Sequence, residues 1–132
     1  MNVLVVDDDV LQVRTLGRGL RIKGYQVSEA FTADRAMERI HDRTEAKIDL
    51  ALVEYLMPGT NGLRLLSDIR NNHPKLPVIL TTSFVWNRDR LIEAMHGRWN
   101  GYLEKPFTLD QLMLEIQRVT KPMVRVGYSL PD

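Results

Sequence analysis

Four short stretches hold residue types that do chemistry in company. Asp7-Asp8-Asp9 follows one apolar run, Glu54 a second, Thr82-Ser83 a third, and Glu104-Lys105-Pro106-Phe107 closes a fourth. Carboxylates are hard oxygen donors, and a small set with positions open to water and phosphate oxygens suits Mg²⁺. A lysine ammonium and a hydroxyl beside them would hold the equatorial oxygens of a transferred phosphoryl group. The plainer alternative is a set of solvated acids that merely end strands. Lys105 and Thr82 complete a constellation which that alternative does not predict.

These residues meet only if the elements beneath them bring them to one edge. Val3-Leu4-Val5-Val6, Tyr25-Gln26-Val27-Ser28, Leu50-Ala51-Leu52-Val53, Val78-Ile79-Leu80-Thr81 and Gly101-Tyr102-Leu103 read as strands. The first, third and fourth are almost continuously apolar, as strands are when helices cover both faces of a parallel sheet. Between them run helical periods: Val10, Val13, Leu16 and Leu20; Ala33, Ala36, Met37 and Ile40 behind a Thr32 cap; Leu63, Leu66 and Ile69; and Leu91, Ala94 and Met95. The last is Leu109, Leu112, Met113 and Ile116 behind the capping box Thr108-x-x-Gln111. Gly17 and Gly19 inside the first helix each cost about 1 kcal/mol against alanine, and close packing is the one reason the sequence offers. Five β-α units with short connections predict an open, doubly wound α/β sheet of three layers in strand order 2-1-3-4-5. Ligands in such sheets bind beyond the carboxyl ends of the strands, where all four stretches lie.

The 132 residues suit one domain, and residues 1–120 carry the pattern. Residues 121–132 leave it at Pro122, as a tail or the start of a connection. Eighteen basic and 17 acidic side chains give a net charge of +1, which supplies no field for gathering nucleic acid or anionic membrane. No basic recognition helix is visible. No apolar stretch approaches the ~20 residues of a membrane span, and the apolar start is too short for a signal peptide. The absence of cysteine excludes disulfides, thiolate metal sites and cysteine nucleophiles. A cytoplasmic protein is expected.

The segments VLVVDDD, DLALVEYLMPGTNG, PVILTTS and GYLEKPF, in that order and each at a strand end, resemble a response regulator receiver domain over roughly residues 2 to 120. The resemblance implies a flavodoxin-like fold and a place in a two-component phosphorelay. It implies that Asp8 binds Mg²⁺ directly and Asp7 through water, with the Leu56 carbonyl and the position of Glu54 completing the site. Thr82, with Ser83 beside it, becomes the switch hydroxyl, Lys105 the phosphate-binding lysine, and Tyr102 the aromatic switch, with a cis bond before Pro106. Partners would be a histidine kinase or a downstream effector. A homodimer would form through the side made by the fourth helix, fifth strand and fifth helix.

The departure from that family lies at position 54, where its pattern has the phosphate-accepting aspartate. Glutamate has a similar pKa and can in principle form an acyl phosphate. Its extra methylene carries the carboxylate forward by about 1–1.5 Å, however, into the space of the phosphate. Misplacement of about 1 Å can cost 10²-fold in a positioned reaction. Glu54 reaching Lys105 and Thr82 would instead imitate part of the activated charge without any donor. The leading expectation is therefore a non-enzymatic module acting by phosphorylation-independent contacts. The alternatives are a conventional receiver that takes phosphoryl onto Glu54 with Mg²⁺, and a flavodoxin-like cofactor protein or small phosphatase. Flavin would want a glycine- and hydroxyl-rich loop where Asp7-Asp8-Asp9 stands. A phosphatase would want an Asp-x-Asp nucleophile with a cap insertion. Trp86 and Trp99 read as cover for the core edge, with partner anchors as the alternative. Arg88, Arg90 and Arg98 read as a solvated face. His41, His73 and His96 are scattered singly and read as surface residues without ligand spacing.

Overall fold

A computed structural model of the chain describes residues 1–83, 89 and 99–120. β1 (Asn2–Val6), β3 (Leu50–Glu54) and β6 (Val78–Thr82) are buried at every position, which is why these runs are apolar on both faces. They form the middle of a parallel sheet with β2 (Gln26–Ala30) and β7 (Gly101–Glu104) at its edges, in the order β2-β1-β3-β6-β7. Counted among the five main strands this is the expected 2-1-3-4-5 order. β2 runs two residues past its expected end, because pairing with β1 carries Glu29 and Ala30 into the sheet.

Alternation along the strands divides the core in two. Leu4, Val6, Ala51, Val53, Val78 and Leu80 pack with α2 (Ala33–His41) and α3 (Gly62–Asn72). Val3, Val5, Leu50, Leu52 and Ile79 pack with α1 (Val10–Ile22) and the last described helix, α4 (Leu109–Thr120). The expected helix on Leu91, Ala94 and Met95 lies outside the described residues, as do Trp86, Arg88, Arg90, His96, Arg98 and residues 121–132. Val10 departs from its expected core role: it is 46% exposed, and Val13, Gly17 and Leu20 make the buried face of α1.

The helix starts follow their side chains. Asp9 Oδ1 accepts the Gln12 N–H at 3.1 Å, and Thr32 Oγ1 accepts that of Arg35 at 3.1 Å. Thr108 and Gln111 satisfy each other's backbone N–H at 3.0 and 2.8 Å, closing the capping box. The two glycines of α1 mark close approaches. A Cβ on Gly19 would meet Leu109 at 3.3 Å, and one on Gly17 would meet Glu29 Oε2 at 3.2 Å. A small hairpin, β4 (Leu56–Met57) with β5 (Thr60–Asn61), follows β3 and was not anticipated. Its turn is Pro58-Gly59, with Gly59 at φ +77°, where proline fixes the first corner and glycine accepts the left-handed second.

Candidate functional site

Sheet register sets the pocket. Val6 lies beside Val53, Glu54 beside Thr81, and Thr82 beside Glu104, so the strand ends that carry the acids, hydroxyl and lysine share one edge. Backbone bonds extend this register past the strands. The Asp7 N–H donates to the Ala30 carbonyl at 3.2 Å, that of Tyr55 to Thr81 at 2.8 Å, and that of Lys105 to Thr82 at 2.8 Å. The Lys105–Pro106 bond is cis.

Lys105 is the centre of the site. Its Nζ donates to Asp7 Oδ2 at 2.6 Å and lies 2.5 Å from Glu54 Oε1. Both contacts are ion pairs between the ammonium and a buried carboxylate. The far oxygens are occupied too: Asp7 Oδ1 accepts the Asp9 N–H at 3.0 Å, and Glu54 Oε2 accepts the Leu56 N–H at 3.0 Å. Asp7 and Glu54 are only 4% and 3% exposed, and the hydroxyl-bearing Thr82 is fully buried. Burial pulls the Lys105 ammonium down from its ordinary pKa, but the hydrogen bonds and charges of Asp7 and Glu54 outweigh it and hold the pKa above that value.

The structure thus brings Asp7, Glu54 and Lys105 into contact, with Thr82 at the end of the neighbouring strand. Asp8 and Ser83 are exposed, and the Leu56 side chain is about half exposed on β4. Asp9, third of the acidic run, is the cap of α1. Tyr102 is half-buried on β7: its N–H donates to Glu115 Oε2 at 2.9 Å, its hydroxyl faces Glu104 Oε1 at 3.4 Å, and its ring meets Trp99 edge-on at 5.7 Å between centroids. Trp99 packs against the core, as expected. Glu115, which joins α4 to β7 and also binds Arg118 at 2.9 Å, gave no sign in the sequence beyond its place in a helix.

Mg²⁺ would find the right donor type here but not the right arrangement. The ammonium holds two of the three expected carboxylates. Among the described residues no group of three or more His, Cys, Asp or Glu side chains is placed to hold a metal ion. The pocket as arranged does not fit the ion.

Residues 3–117 match the family model of the response regulator receiver domain. The chain belongs to that family. It is 28% identical over 132 residues to the transcriptional regulatory protein ZraR of Salmonella typhimurium, covering all of this chain and 29% of that protein. It is 33% identical over 129 residues to response regulator MprA of Mycobacterium avium, covering 92% of this chain and 53% of MprA. The chain therefore spans under a third of one relative's length and about half of the other's. Among solved structures it is similar to the receiver domain of NtrX from Brucella abortus, with a TM-score of 0.78 at 32% identity, covering 89% of this chain and 96% of that one. Receiver domains are signalling modules of two-component systems that interact with histidine kinases and effector domains, and they typically bind Mg²⁺ at the phosphorylation site. In this receiver domain no described helix is long and apolar enough to cross a membrane.

Proposed function

We infer that this receiver domain signals by protein contacts that do not wait on phosphorylation, with Glu54 standing where the family carries its acceptor aspartate. The observation that carries this reading is the 2.5 Å approach of Lys105 Nζ to Glu54 Oε1. The lysine that would hold a phosphoryl oxygen is already engaged by a built-in carboxylate. Glu54 supplies one negative charge there, against the roughly −1.5 to −2 that a phosphoryl group brings. Thr82 and Ser83 border the same pocket, and Asp7, Asp8 and the Leu56 carbonyl are the metal-side groups of the inherited site. Because Lys105 also binds Asp7, Mg²⁺ would have to displace an ammonium to enter, which argues against routine metal-dependent turnover.

The contacts would form on the side of β7 and α4. A cleft there is lined by Tyr102, Phe107, Leu114 and Arg118, with Leu114 67% exposed. A histidine kinase, an effector or a second copy of the chain is the expected partner on this side, and Tyr102 the residue whose packing would change with state. Residues 1–120 form the module in this reading, working in the cytoplasm, and 121–132 a tail or connection.

The test is incubation with acetyl phosphate and Mg²⁺ followed by intact-mass spectrometry. The reading expects no gain in mass. A stable gain of one phosphoryl group, absent from Glu54→Gln, would establish the conventional receiver reaction on Glu54 instead.

A further inference from the structure

At the opposite pole from the acidic pocket, the last residue of α2 and the first after α3 face each other. His73 Nε2 lies 2.9 Å from His41 Nδ1, with ring centroids 4.7 Å apart and planes inclined by 39°. The two are not scattered singly, as the sequence suggests; the fold pairs them across 32 positions of chain.

A hydrogen bond between the rings is the simplest account, yet the rings are bent toward each other. A straight N–H···N bond of this length would set the centroids about 5.2 Å apart. Two imidazoles bound to one ion at about 2.0–2.1 Å and at a right angle would show nitrogens about 2.9 Å and centroids about 4.5 Å apart. At a tetrahedral angle the nitrogens would stand about 3.3 Å apart. The observed spacing lies nearer the right-angled pair than either other arrangement. We propose that His41 and His73 form a site for a first-row divalent ion that favours right-angled nitrogen ligands, Cu²⁺ or Ni²⁺ ahead of Zn²⁺.

The surroundings hold the backbone that carries the two rings. Arg70, on α3, donates through one guanidinium nitrogen to the carbonyls of His73, Pro74 and Leu76 at 3.3, 3.0 and 2.8 Å. Its other nitrogen reaches Asn100 Oδ1 at 3.1 Å, so the turn that carries His73 is held against the sheet. Arg39 does the same for the loop after α2, donating to the Ala46 carbonyl at 2.6 Å. Holding these backbone segments reduces the ordering that binding an ion would require. The nearby acids are engaged elsewhere: Asp42 with Thr44, and Asp49 with the Asn2 N–H. Lys47 and Lys75 line the adjoining cleft of about 410 Å³ with His73. The ion's remaining positions therefore suit water or a small anion rather than a further side chain.

The experiment is a titration of the full untagged chain with Cu²⁺, followed by electron paramagnetic resonance and by thermal melting. One equivalent is expected to bind with nitrogen superhyperfine structure and to raise Tm, since the ion ties α2 to α3. His41→Gln and His73→Gln should each weaken binding at least tenfold, while Asp8→Asn, Glu54→Gln and His96→Gln keep it. The melting temperatures of all variants in chelator report whether each still folds. Undiminished binding in either His41→Gln or His73→Gln overturns the assignment, as does loss of binding in the acidic-pocket variants or no binding by the unaltered chain.

Discussion

Lys105→Met is the substitution that most directly interrogates the pocket. Methionine keeps much of the length and apolar stem of lysine and removes only the charge. What remains is Asp7 and Glu54, each oxygen formerly within 2.6 Å of one nitrogen and therefore no more than about 5 Å from the other. Two unit charges at that distance repel by about 3 kcal/mol at an effective dielectric of about 20. Their side chains are 6% and 4% exposed, so water screens them poorly. The figure agrees with the 3–5 kcal/mol typical of breaking a buried pair by removing one partner. With a urea m-value of about 1.5 kcal/mol/M for a domain of this size, the unfolding midpoint should fall by about 2 M at neutral pH.

The second arm isolates the cause. Glu54→Gln removes one of the two repelling charges, so Lys105→Met combined with Glu54→Gln should be more stable than Lys105→Met alone, by more than about 1 kcal/mol. A loss under about 0.5 kcal/mol for Lys105→Met would refute the reasoning, because it would mean that the ammonium is not compensating buried charge. A double variant no better than the single would refute it equally, since the loss would then lie in packing.

Gly101 sits where α4 crosses β7, and a Cβ there would lie 2.7 Å from Glu115 Oε2, 2.8 Å from Val119 Cγ2 and 3.0 Å from Ile79 Cγ1. Gly101→Ala should therefore lose about 1–3 kcal/mol by denaturant unfolding, with the β7–α4 contact displaced. Thr108→Ala breaks the capping box of α4 and should cost about 1 kcal/mol by the same measurement, with Thr108→Ser close to neutral. The Arg118 hydrogen bond lowers the pKa of Glu115; burial opposes it and the Tyr102 N–H assists it. A depressed carboxylate stabilises fully above its unfolded value of 4.5, and that contribution is lost as pH falls through the folded value. Glu115→Gln should accordingly flatten the decline of Tm below pH 4.5, by a fraction of a kcal/mol because Arg118 is largely solvated.

How much of this was legible in the sequence depended on whether the information was local. The central strands announced themselves because a strand covered on both faces is apolar at every position, and their order followed from short crossovers. The capping box at Thr108 was legible for the same reason: its partner is three residues away. Lys105 and the acids were legible as neighbours, since strand ends of a parallel sheet share an edge. Glu54 was legible as a partner of the lysine, but which of the three aspartates joins it was not. Asp7, Asp8 and Asp9 are alike in sequence, yet one is buried on Lys105, one is exposed and one caps α1, because successive side chains leaving a strand point in different directions. The pairing of His41 with His73 was out of reach altogether, for it exists only after α2 and α3 have packed side by side. Pro58-Gly59 signals a turn, but the two-residue strands that flank it are too short to carry a strand pattern of their own.

The engagement of Lys105 has a consequence beyond the pocket. Its backbone N–H is bonded to Thr82, so the residue that carries the ammonium is also the one that holds the ends of β6 and β7 together. Three residues back along β7, the Tyr102 N–H is bonded to Glu115, and Glu115 to Arg118 on α4. Arg118 in turn donates to the Asn100 carbonyl at 3.0 Å, just ahead of β7. Both ends of this strand are therefore fixed by charge: one by the Asp7–Lys105–Glu54 set, the other by Glu115 and Arg118. An edge strand held at both ends has few ways to respond separately at either. Lys105 thus couples the buried carboxylates to the closure of β6 and β7, since its ammonium binds Asp7 and Glu54 and its backbone binds Thr82.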